Sequence, residues 1–288
     1  MLFRSVLAEA LAGVSGVSLR LGVEVTGVEV TGVRLADGST IRADVVVGAD
    51  GIHSVIRTSL FGPTPSRFSG AAAYRALIPR ALVADLPIEV NNRLGPDSHV
   101  VTYFIGRDPR LLNLVCVVPE PNWDVESWTE PGSVEELRAA FTDWSPELRR
   151  LLDLVEAPVF RWALYDREPL PEWGSGAVTL LGDACHPMLP FMAQGACQAI
   201  EDAAVLARCL DGVDPEPRSI SRSLAMYQST RIERATRIQG ASYFNRILFH
   251  YPDGEDQVKR DAMFGSDRWS SANDWVYEHD VLTTPLLT

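Results

Sequence analysis

Two short apolar stretches of the chain each run into a glycine followed closely by an aspartate, whose carboxylate can bind hydroxyl groups. Val45 to Val47 lead into Gly48-Ala49-Asp50-Gly51, and Leu180-Leu181 lead into Gly182-Asp183. Continuous rather than alternating apolar character is typical of strands buried on both faces, as in a parallel sheet. Because ligands of open α/β sheets bind beyond the carboxyl ends of the strands, both aspartates are candidate binding residues.

The segment after the second strand adds further features of a binding site. Gly195 lets the backbone approach a flat ring closely. A helix predicted from Ala196 to Leu210 would direct free N–H groups and its positive dipole end at the same place. A flat ring that gains negative charge on reduction would be stabilised there. Taken alone, Gly182-Asp183 also fits an ordinary strand–loop–helix connection.

Together the two strand ends resemble the Asp-Gly and Gly-Asp motifs of the flavoprotein aromatic hydroxylases, in particular the salicylate hydroxylase and 6-hydroxynicotinate or hydroxybenzoate monooxygenase branch. The spacing from Asp50 to Asp183 suits that family, in which a substrate lobe lies between the motifs. Further matches are Ala73 to Arg75, Trp162 to Leu170, Tyr227, Arg231, Arg234 and Ala235. The resemblance implies an FAD-dependent monooxygenase that hydroxylates an aromatic ring with NAD(P)H and O₂ through a C4a-hydroperoxyflavin.

The resemblance also implies roles for single residues. Arg4 in the leading helix would contact FAD, and Asp50 with Gly51 would serve both FAD and the nicotinamide cofactor. Asp183 would bind the ribityl or ribose region of FAD. Gly195 and Ala196 would offer backbone contacts to the isoalloxazine ring, and Pro190 would border the reactive face of that ring. Several of these have a structural alternative: Arg4 as a surface charge, and Asp50 with Gly51 as a turn. Arg57 fits a network that supports the first motif.

His99 and Tyr103 are four residues apart in an extended run, so the alternation of a strand places both on one face, with Val101 between them. They resemble a His-x-x-x-Tyr pair that lines the substrate pocket of the hydroxybenzoate and hydroxynicotinate enzymes. Such residues could orient or deprotonate a phenolic hydroxyl and are our catalytic candidates. A half-buried strand with polar tips explains the same spacing, and we interpret His186 as a loop hydrogen-bonder rather than a base.

The elements that must position these residues predict an α/β fold, in which a partial Rossmann-like FAD-binding domain is interleaved with an antiparallel-sheet substrate domain. We expect the FAD-binding domain at residues 1–62 and 173–250, the substrate lobe at 63–172 and a tail at 251–288. An amphipathic helix should end at Gly13. Three β-rich runs should follow it, namely Val17–Leu21, Val23–Val30 and Val33–Asp44, the last turning at Asp37-Gly38.

The lobe should contain extended runs at Ala71–Ile78, His99–Ile105 and Leu111–Val118, with helices capped by Ser133 and Ser145. After the second strand, the helix from Ala196 should carry an apolar stripe that includes Ile200, and another helix should run from Ile220 to Phe249. The tail gives no clear pattern.

Charge and composition limit the partners. The net charge is −12 and no basic cluster occurs, which makes nucleic acid and anionic membranes poor candidates. The four cysteines form no Cys-x-x-Cys pair, so a metal site and a disulfide framework are both improbable. We expect a cytoplasmic protein that binds a small aromatic substrate and O₂, with a homodimer as an open alternative.

One family feature has no counterpart in these residues. The family opens with a strand–Gly-x-Gly-x-x-Gly–helix unit that holds the dinucleotide pyrophosphate. Gly13-Val14-Ser15-Gly16 lacks that spacing, and Gly174-Ser175-Gly176 precedes a strand instead of following one. We therefore expect this half of the FAD site to be missing, which leaves two hypotheses: a monooxygenase, or a truncated and catalytically inactive flavoprotein remnant. A close variant of the first would oxidise a non-aromatic substrate.

Overall fold

The computed structural model describes residues 2–29, 32–106, 108, 110–123, 130–266 and 271–287, without the side chains of residues 2–4. Helix α1 spans Leu2–Ala12 and ends before Gly13, as predicted. Strands β1 (Val25–Glu29), β2 (Gly32–Leu35) and β3 (Thr40–Arg42) form a small antiparallel sheet. The turn at Asp37-Gly38 is confirmed, since Leu35 N donates to Ser39 O at 2.8 Å.

The strand predicted at Val17–Leu21 is wrong. The segment is irregular, and the side chains of Val17, Leu19 and Leu21 are 46%, 62% and 79% exposed. An extended run becomes a strand only where a neighbouring strand pairs with its backbone, and no described strand does so here. Of the next predicted run, Val30 lies outside the described residues.

A six-stranded antiparallel sheet forms the centre of the molecule. Its strands are β5 (Arg67–Pro79), β6 (Asn91–Gly95), β7 (Ser98–Ile105), β8 (Leu111–Pro119), β9 (Glu130–Gly132) and β10 (Val159–Asp166). They lie in the order β6-β7-β8-β5-β10-β9. The three extended runs predicted for the lobe are thereby confirmed.

Helices α3 (Val134–Ala139) and α4 (Pro146–Asp153) cover one face of this sheet. Both predicted caps are present: Ser133 Oγ accepts Glu136 N at 3.1 Å, and Ser145 Oγ accepts Leu148 N at 3.3 Å. Alternate strand residues and the helices form one core, which includes Ile78, Leu114, Cys116, Leu137, Leu148 and Leu151. The opposite face of β7 and β8 is thus free to line a cavity.

The two strand ends lie side by side in a third sheet. Strand β4 (Val46–Gly48) pairs parallel with β12 (Val178–Leu180), and β11 (Gly174–Ser175) pairs antiparallel with β12. The parallel pairing confirms the α/β prediction, but burial on both faces is wrong for Val47, which is 38% exposed.

Three helices complete this layer. Helix α2 (Val55–Phe61) follows β4, α5 (Gly195–Leu210) follows β12, and the long α6 (Pro217–Leu248) packs against α5. Their shared core includes Leu180, Val205, Leu224 and Tyr227. Both long helices confirm the predicted positions within three residues at each end.

The tail folds back onto α5 and α6. Helices α7 (Glu255–Phe264) and α8 (Asp274–Tyr277) lie within it. Arg234 Nη1 donates to Trp275 O at 2.9 Å, and Arg208 Nη1 donates to Val281 O at 2.7 Å. Across the described ranges, no helix is both long enough and apolar enough to cross a membrane.

Candidate functional site

The end of β12 presents a carboxylate in the turn that directly follows the strand. A 3₁₀ turn, Gly182–Ala184, follows the strand and carries Asp183. Among the described residues no hydrogen bond engages the Asp183 side chain, which is open to solvent on one side. Desolvation by the protein around it raises the pKa of Asp183, and the nearby His186 acts in the opposite direction. Asp183 is therefore a carboxylate with acceptor capacity to spare.

The N-terminus of α5 lies against this carboxylate. A Cβ added at Gly195 would lie 3.8 Å from Asp183 Oδ1 and 3.9 Å from Met188 Cγ, which are ordinary contact distances. The first helical bond to a loop residue is Gln198 N to Gln194 O at 2.8 Å. The N–H groups of Gly195, Ala196 and Cys197 precede it and have no helical partner. The structure thus brings together Asp183, Gly195 and Ala196.

A buried ionic network holds the turn in place. Asp202 Oδ2 accepts Gly182 N at 3.0 Å and lies 2.6 Å from His186 Nε2. Asp202 Oδ1 accepts Arg231 Nε at 2.8 Å. Burial by itself raises the pKa of Asp202, but the bonds and charges of His186 and Arg231 lower it below its usual value overall. Asp202 stays ionised and fixes the backbone that carries Asp183.

Asp202 had no predicted role, although a signal for it was present in the sequence. Gln198, Asp202, Val205 and Cys209 are all buried and follow helical spacing, so polar groups interrupt the inner face of α5. The predicted apolar stripe is wrong at Ile200, whose side chain is 50% exposed, whereas Leu206 of the same stripe is buried in the core. His186 acts as the predicted hydrogen-bonder toward Asp202.

The sulfur of Cys185 lies near His186 and Asp202, and one ligand-type atom from each of the three lies within 4.8 Å of the others. Metal binding at such a group requires the thiolate. Burial raises the pKa of the Cys185 thiol well above its usual value, and Arg231 already neutralises the carboxylate. The group is therefore better suited to hydrogen bonding than to holding a cation.

Arg57 connects the two strand ends. Its buried guanidinium donates to Ala184 O at 3.0 Å and to Ile52 O at 2.6 Å. Burial, with the charge of Arg167, lowers its pKa to about 10, so it remains charged at neutral pH. The contacts agree with the supporting network proposed for it from the sequence.

The carboxylate of Asp50 is engaged by the helix that follows. Oδ1 accepts Ser54 Oγ at 2.5 Å, and Oδ2 accepts Val55 N at 2.7 Å and Ile56 N at 3.2 Å. Gly51 has φ +77°, a left-handed conformation that glycine adopts without strain. These contacts support the turn alternative for both residues, and their role toward a cofactor stays a prediction. The side chain of Arg4 lies outside the described residues.

The loop between Asp183 and α5 contains a strained residue and is hydrogen-bonded to α6. Pro190–Met192 forms a 3₁₀ turn, and Ala193 follows with φ 53° and ψ 30°, a left-handed conformation that costs a non-glycine residue about 1–2 kcal/mol. Asn245 of α6 holds the loop from behind, through a bond from Nδ2 to Phe191 O at 3.2 Å. Strain held by surrounding contacts is common at binding sites.

A cavity of about 650 Å³ lies between this loop and the free face of the six-stranded sheet. Both His99 and Tyr103 line it, together with Pro190. Its other walls are mostly apolar and include Val101, Val115, Val117, Phe191, Met192, Phe249 and Phe264. Asn273 and Tyr277 of the tail close one side. The structure thus brings the predicted substrate residues, His99 and Tyr103, next to the loop between Asp183 and α5, which we call the cofactor loop.

Two polar contacts at this face were not foreseen. His99 Nδ1 lies 2.7 Å from His250 Nε2, a residue just beyond α6. Asn113 pairs with Tyr103 in the sheet, accepts Arg75 Nε at 2.8 Å, and has a buried Nδ2 without a hydrogen-bond partner in the described part of the chain. Arg75 therefore lies on the same sheet face as Tyr103.

Comparison with known proteins decides the family. A family profile described as FAD binding domain matches residues 6–242. The chain belongs to this FAD-binding domain family. The match includes both strand ends, the lobe between them and most of α6, and it confirms the resemblance drawn from the Asp-Gly and Gly-Asp motifs.

Relatives of this FAD-binding domain chain include aromatic monooxygenases. It is 38% identical over 259 residues to 6-hydroxynicotinate 3-monooxygenase of Pseudomonas fluorescens, covering 88% of this chain and 61% of that enzyme. It is 40% identical over 248 residues to a 3-amino-4-hydroxybenzoate 2-monooxygenase of Streptomyces platensis, covering 85% and 61%. The chain thus spans about three fifths of the length of these relatives.

Solved structures agree. A salicylate hydroxylase substrate complex superposes with a TM-score of 0.82 at 29% identity, covering 99% of this chain and 75% of the other. CtdE in complex with FAD and a substrate gives a TM-score of 0.77 at 25% identity, covering 93% and 68%. The fold of this chain is therefore that of FAD-binding monooxygenases.

Proposed function

We propose that this chain carries the ring and ribityl side of a flavin site, together with the substrate pocket, of an FAD-dependent monooxygenase that hydroxylates a small aromatic substrate with NAD(P)H and O₂. One observation carries the proposal: the unengaged carboxylate of Asp183 lies beside the N-terminus of α5 and next to a largely apolar cavity that His99 and Tyr103 line. The similarity to aromatic monooxygenases supports it.

The residues present fit a flavin. Asp183 has acceptor capacity for a hydroxylated chain, which matches a ribityl group. Gly195 has no side chain to keep a flat ring away, and the free N–H groups that begin α5 favour negative charge. A group with hydroxyls at one end and a ring that becomes anionic on reduction satisfies all three features. We assign Asp183, Gly195, Ala196 and Pro190 to this contact, and Arg4, Asp50 and Gly51 to the same cofactor on the family resemblance alone.

Bound FAD would supply the oxidation chemistry, with NAD(P)H as reductant and O₂ as the source of the transferred oxygen. The chain's own residues position the substrate. The valine and phenylalanine side chains of the cavity exclude water from the reacting ring. His99 and Tyr103 provide the polar contacts that orient a phenolic hydroxyl, and Pro190, in the loop between Asp183 and α5, forms the cavity wall on the cofactor side.

The domain division is part of the proposal. Residues 63–172 form the substrate lobe, which the six-stranded sheet supports, and residues 1–62 and 173–250 form the FAD-binding domain. The tail at 251–288 contributes Phe264, Asn273 and Tyr277 to the cavity wall. We further propose a cytoplasmic location, where the four unpaired cysteines would remain reduced. A homodimer is tested by sedimentation of the purified chain.

Titration with FAD, followed by flavin fluorescence, tests the cofactor half. We expect saturable quenching by the wild-type chain and at least about tenfold weaker binding by Gly195→Leu, because the longer side chain would enter the space beside Asp183. Gly240→Leu is the matched control, since nothing lies within 4 Å of the Cβ position there. Absence of saturable quenching by the wild type, or equal affinity in Gly195→Leu, would contradict the proposal.

NAD(P)H oxidation by the FAD-loaded chain tests the reaction. Hydroxylated pyridine and benzene carboxylates, the class named for the relatives, are the first substrates to try. We expect faster oxidation in their presence and a product heavier by one oxygen atom. Oxidation that no aromatic compound stimulates, in a chain that binds FAD, would contradict aromatic hydroxylation and leave the flavin site standing.

A further inference from the structure

Two histidines far apart in the sequence form one hydrogen-bonded pair at the substrate cavity. His99 Nδ1 on β7 lies 2.7 Å from Nε2 of His250, which follows the end of α6. The two ring centroids are 4.9 Å apart. His99 is 2% exposed and lines the cavity. Because Nδ1 of His99 is occupied by His250, Nε2 is the ring nitrogen that remains for a ligand.

The backbone beside His250 favours one direction for this bond. The backbone carbonyl of Arg246 interacts with the His250 ring and acts to raise its pKa, and a carbonyl can only accept a hydrogen bond. Since Nε2 faces His99, the nitrogen that donates to this carbonyl is Nδ1. A neutral imidazole has a single N–H, so a donation from Nδ1 leaves Nε2 of His250 as an acceptor for the hydrogen of His99 Nδ1.

Both rings are neutral near pH 7. Burial, with the charge of His250, lowers the pKa of His99 to about 3. Burial also lowers the pKa of His250; Asp97 acts to raise it, while Arg246 and Arg260 add to the lowering. Because the pKa of both rings is lowered, each ring is neutral and carries a single N–H.

Aromatic packing fixes the orientation of the His99 ring. Phe191 of the cofactor loop and Phe249 meet it edge to face, with centroids 5.3 Å and 5.6 Å away. Phe191 also meets the His250 ring at 5.8 Å and 90°. The ring therefore has little freedom to turn and exchange its two nitrogens.

We propose that His250 is a positioning residue that holds His99 in the Nδ1–H tautomer, so that a bare Nε2 faces the cavity and accepts a hydrogen bond from the hydroxyl of a phenolic substrate. The inference rests on the proposed function. Of the two roles considered for His99, orienting or deprotonating the substrate hydroxyl, it favours the first: His99 accepts a hydrogen bond from the hydroxyl and so orients it. The hydrogen stays on the substrate oxygen, and no bond is broken in this step.

Nitrogen NMR of the histidine-labelled chain tests the arrangement without flavin or substrate, so its failure is distinct from failure of the proposed function. The chain has five histidines, so single substitutions assign the signals. We expect His99 to show a protonated Nδ1 and a bare Nε2, unchanged between about pH 7 and pH 8, where both rings are neutral. A protonated Nε2 with a bare Nδ1, or titration of His99 within this range, would overturn the inference.

Two substitutions separate hydrogen bonding from packing. His250→Leu removes the acceptor, and we expect His99 to lose the single tautomer and to show signals of both forms. His250→Gln offers a side-chain oxygen as acceptor and should restore the Nδ1–H form. Tyr251→Phe, the next residue along, is the control and should leave His99 unchanged. A folded His250→Leu variant in which His99 keeps its tautomer would overturn the role of His250; should that variant not fold, the wild-type and His250→Gln spectra decide it.

Discussion

Replacing Asp202 with asparagine should destabilise the protein more than any surface substitution on the same layer. The Asp202 side chain is fully buried, and its carboxylate accepts hydrogen bonds from Arg231 Nε at 2.8 Å, Gly182 N at 3.0 Å and His186 Nε2 at 2.6 Å. Asn keeps the shape and one acceptor oxygen but removes the negative charge. Loss of one partner of a buried ion pair costs about 3–5 kcal/mol. Arg231 would still pair with Glu201, whose Oε2 lies 2.5 Å from Arg231 Nη1. We therefore expect the free energy of unfolding to fall by about 3 kcal/mol, the lower end of this range.

Urea unfolding at pH 7, followed by tryptophan fluorescence, measures this loss, and Glu233→Gln on the exposed side of α6 is the control, expected within about 0.5 kcal/mol of wild type. The pH dependence adds a second check. The folded-state pKa of Asp202 is lowered from 3.8, so its stabilisation is present above about pH 4 and is lost as the pH falls through the folded value. The difference between wild type and Asp202→Asn should therefore shrink below pH 4. A loss smaller than about 1 kcal/mol at pH 7 would refute the argument that this network holds the Asp183 turn.

Three further outcomes follow from the geometry. Gly48→Ala should cost about 1–3 kcal/mol in urea unfolding, because the new Cβ would lie 2.7 Å from Ile56 Cβ and 2.9 Å from Leu180 Cδ2; an unchanged free energy of unfolding would contradict the packing described. Tyr103→Phe should weaken substrate-stimulated NAD(P)H oxidation while leaving FAD affinity unchanged, and equal stimulation would remove Tyr103 from the pocket. Ala193→Val should destabilise by more than about 1 kcal/mol, because β-branched residues are outliers at positive φ, whereas Ala193→Gly should be tolerated.

Local patterns predicted the parts of the molecule that depend on local chemistry. The apolar runs before Asp50 and Asp183 pair as neighbouring parallel strands, as continuous β-branched character indicates. His99 and Tyr103 share a sheet face because strand side chains alternate with period two. The predicted caps and long helices follow from similarly short-range signals.

Long-range contacts were beyond the reach of the same patterns. His250 lies 151 residues from His99, and no spacing in the sequence connects them. The inner face of α5 was misjudged because apolarity favoured Ile200, whereas the fold buries Asp202 there to neutralise Arg231. Val17–Leu21 has the composition of a strand, but strand formation depends on a partner that composition cannot supply.

Recognition of a hydroxylated chain by Asp183 is the step on which the proposed flavin site most depends. Riboflavin carries the ring and the ribityl chain, whereas lumiflavin carries the ring alone, so fluorescence titration of both separates the two contacts. Asp183→Ala should weaken riboflavin binding about tenfold or more, since hydrogen bonds to a charged group contribute about 1.5–3 kcal/mol, and should leave lumiflavin affinity unchanged. Equal affinity of wild type and Asp183→Ala for riboflavin would contradict the assignment of this carboxylate to the flavin.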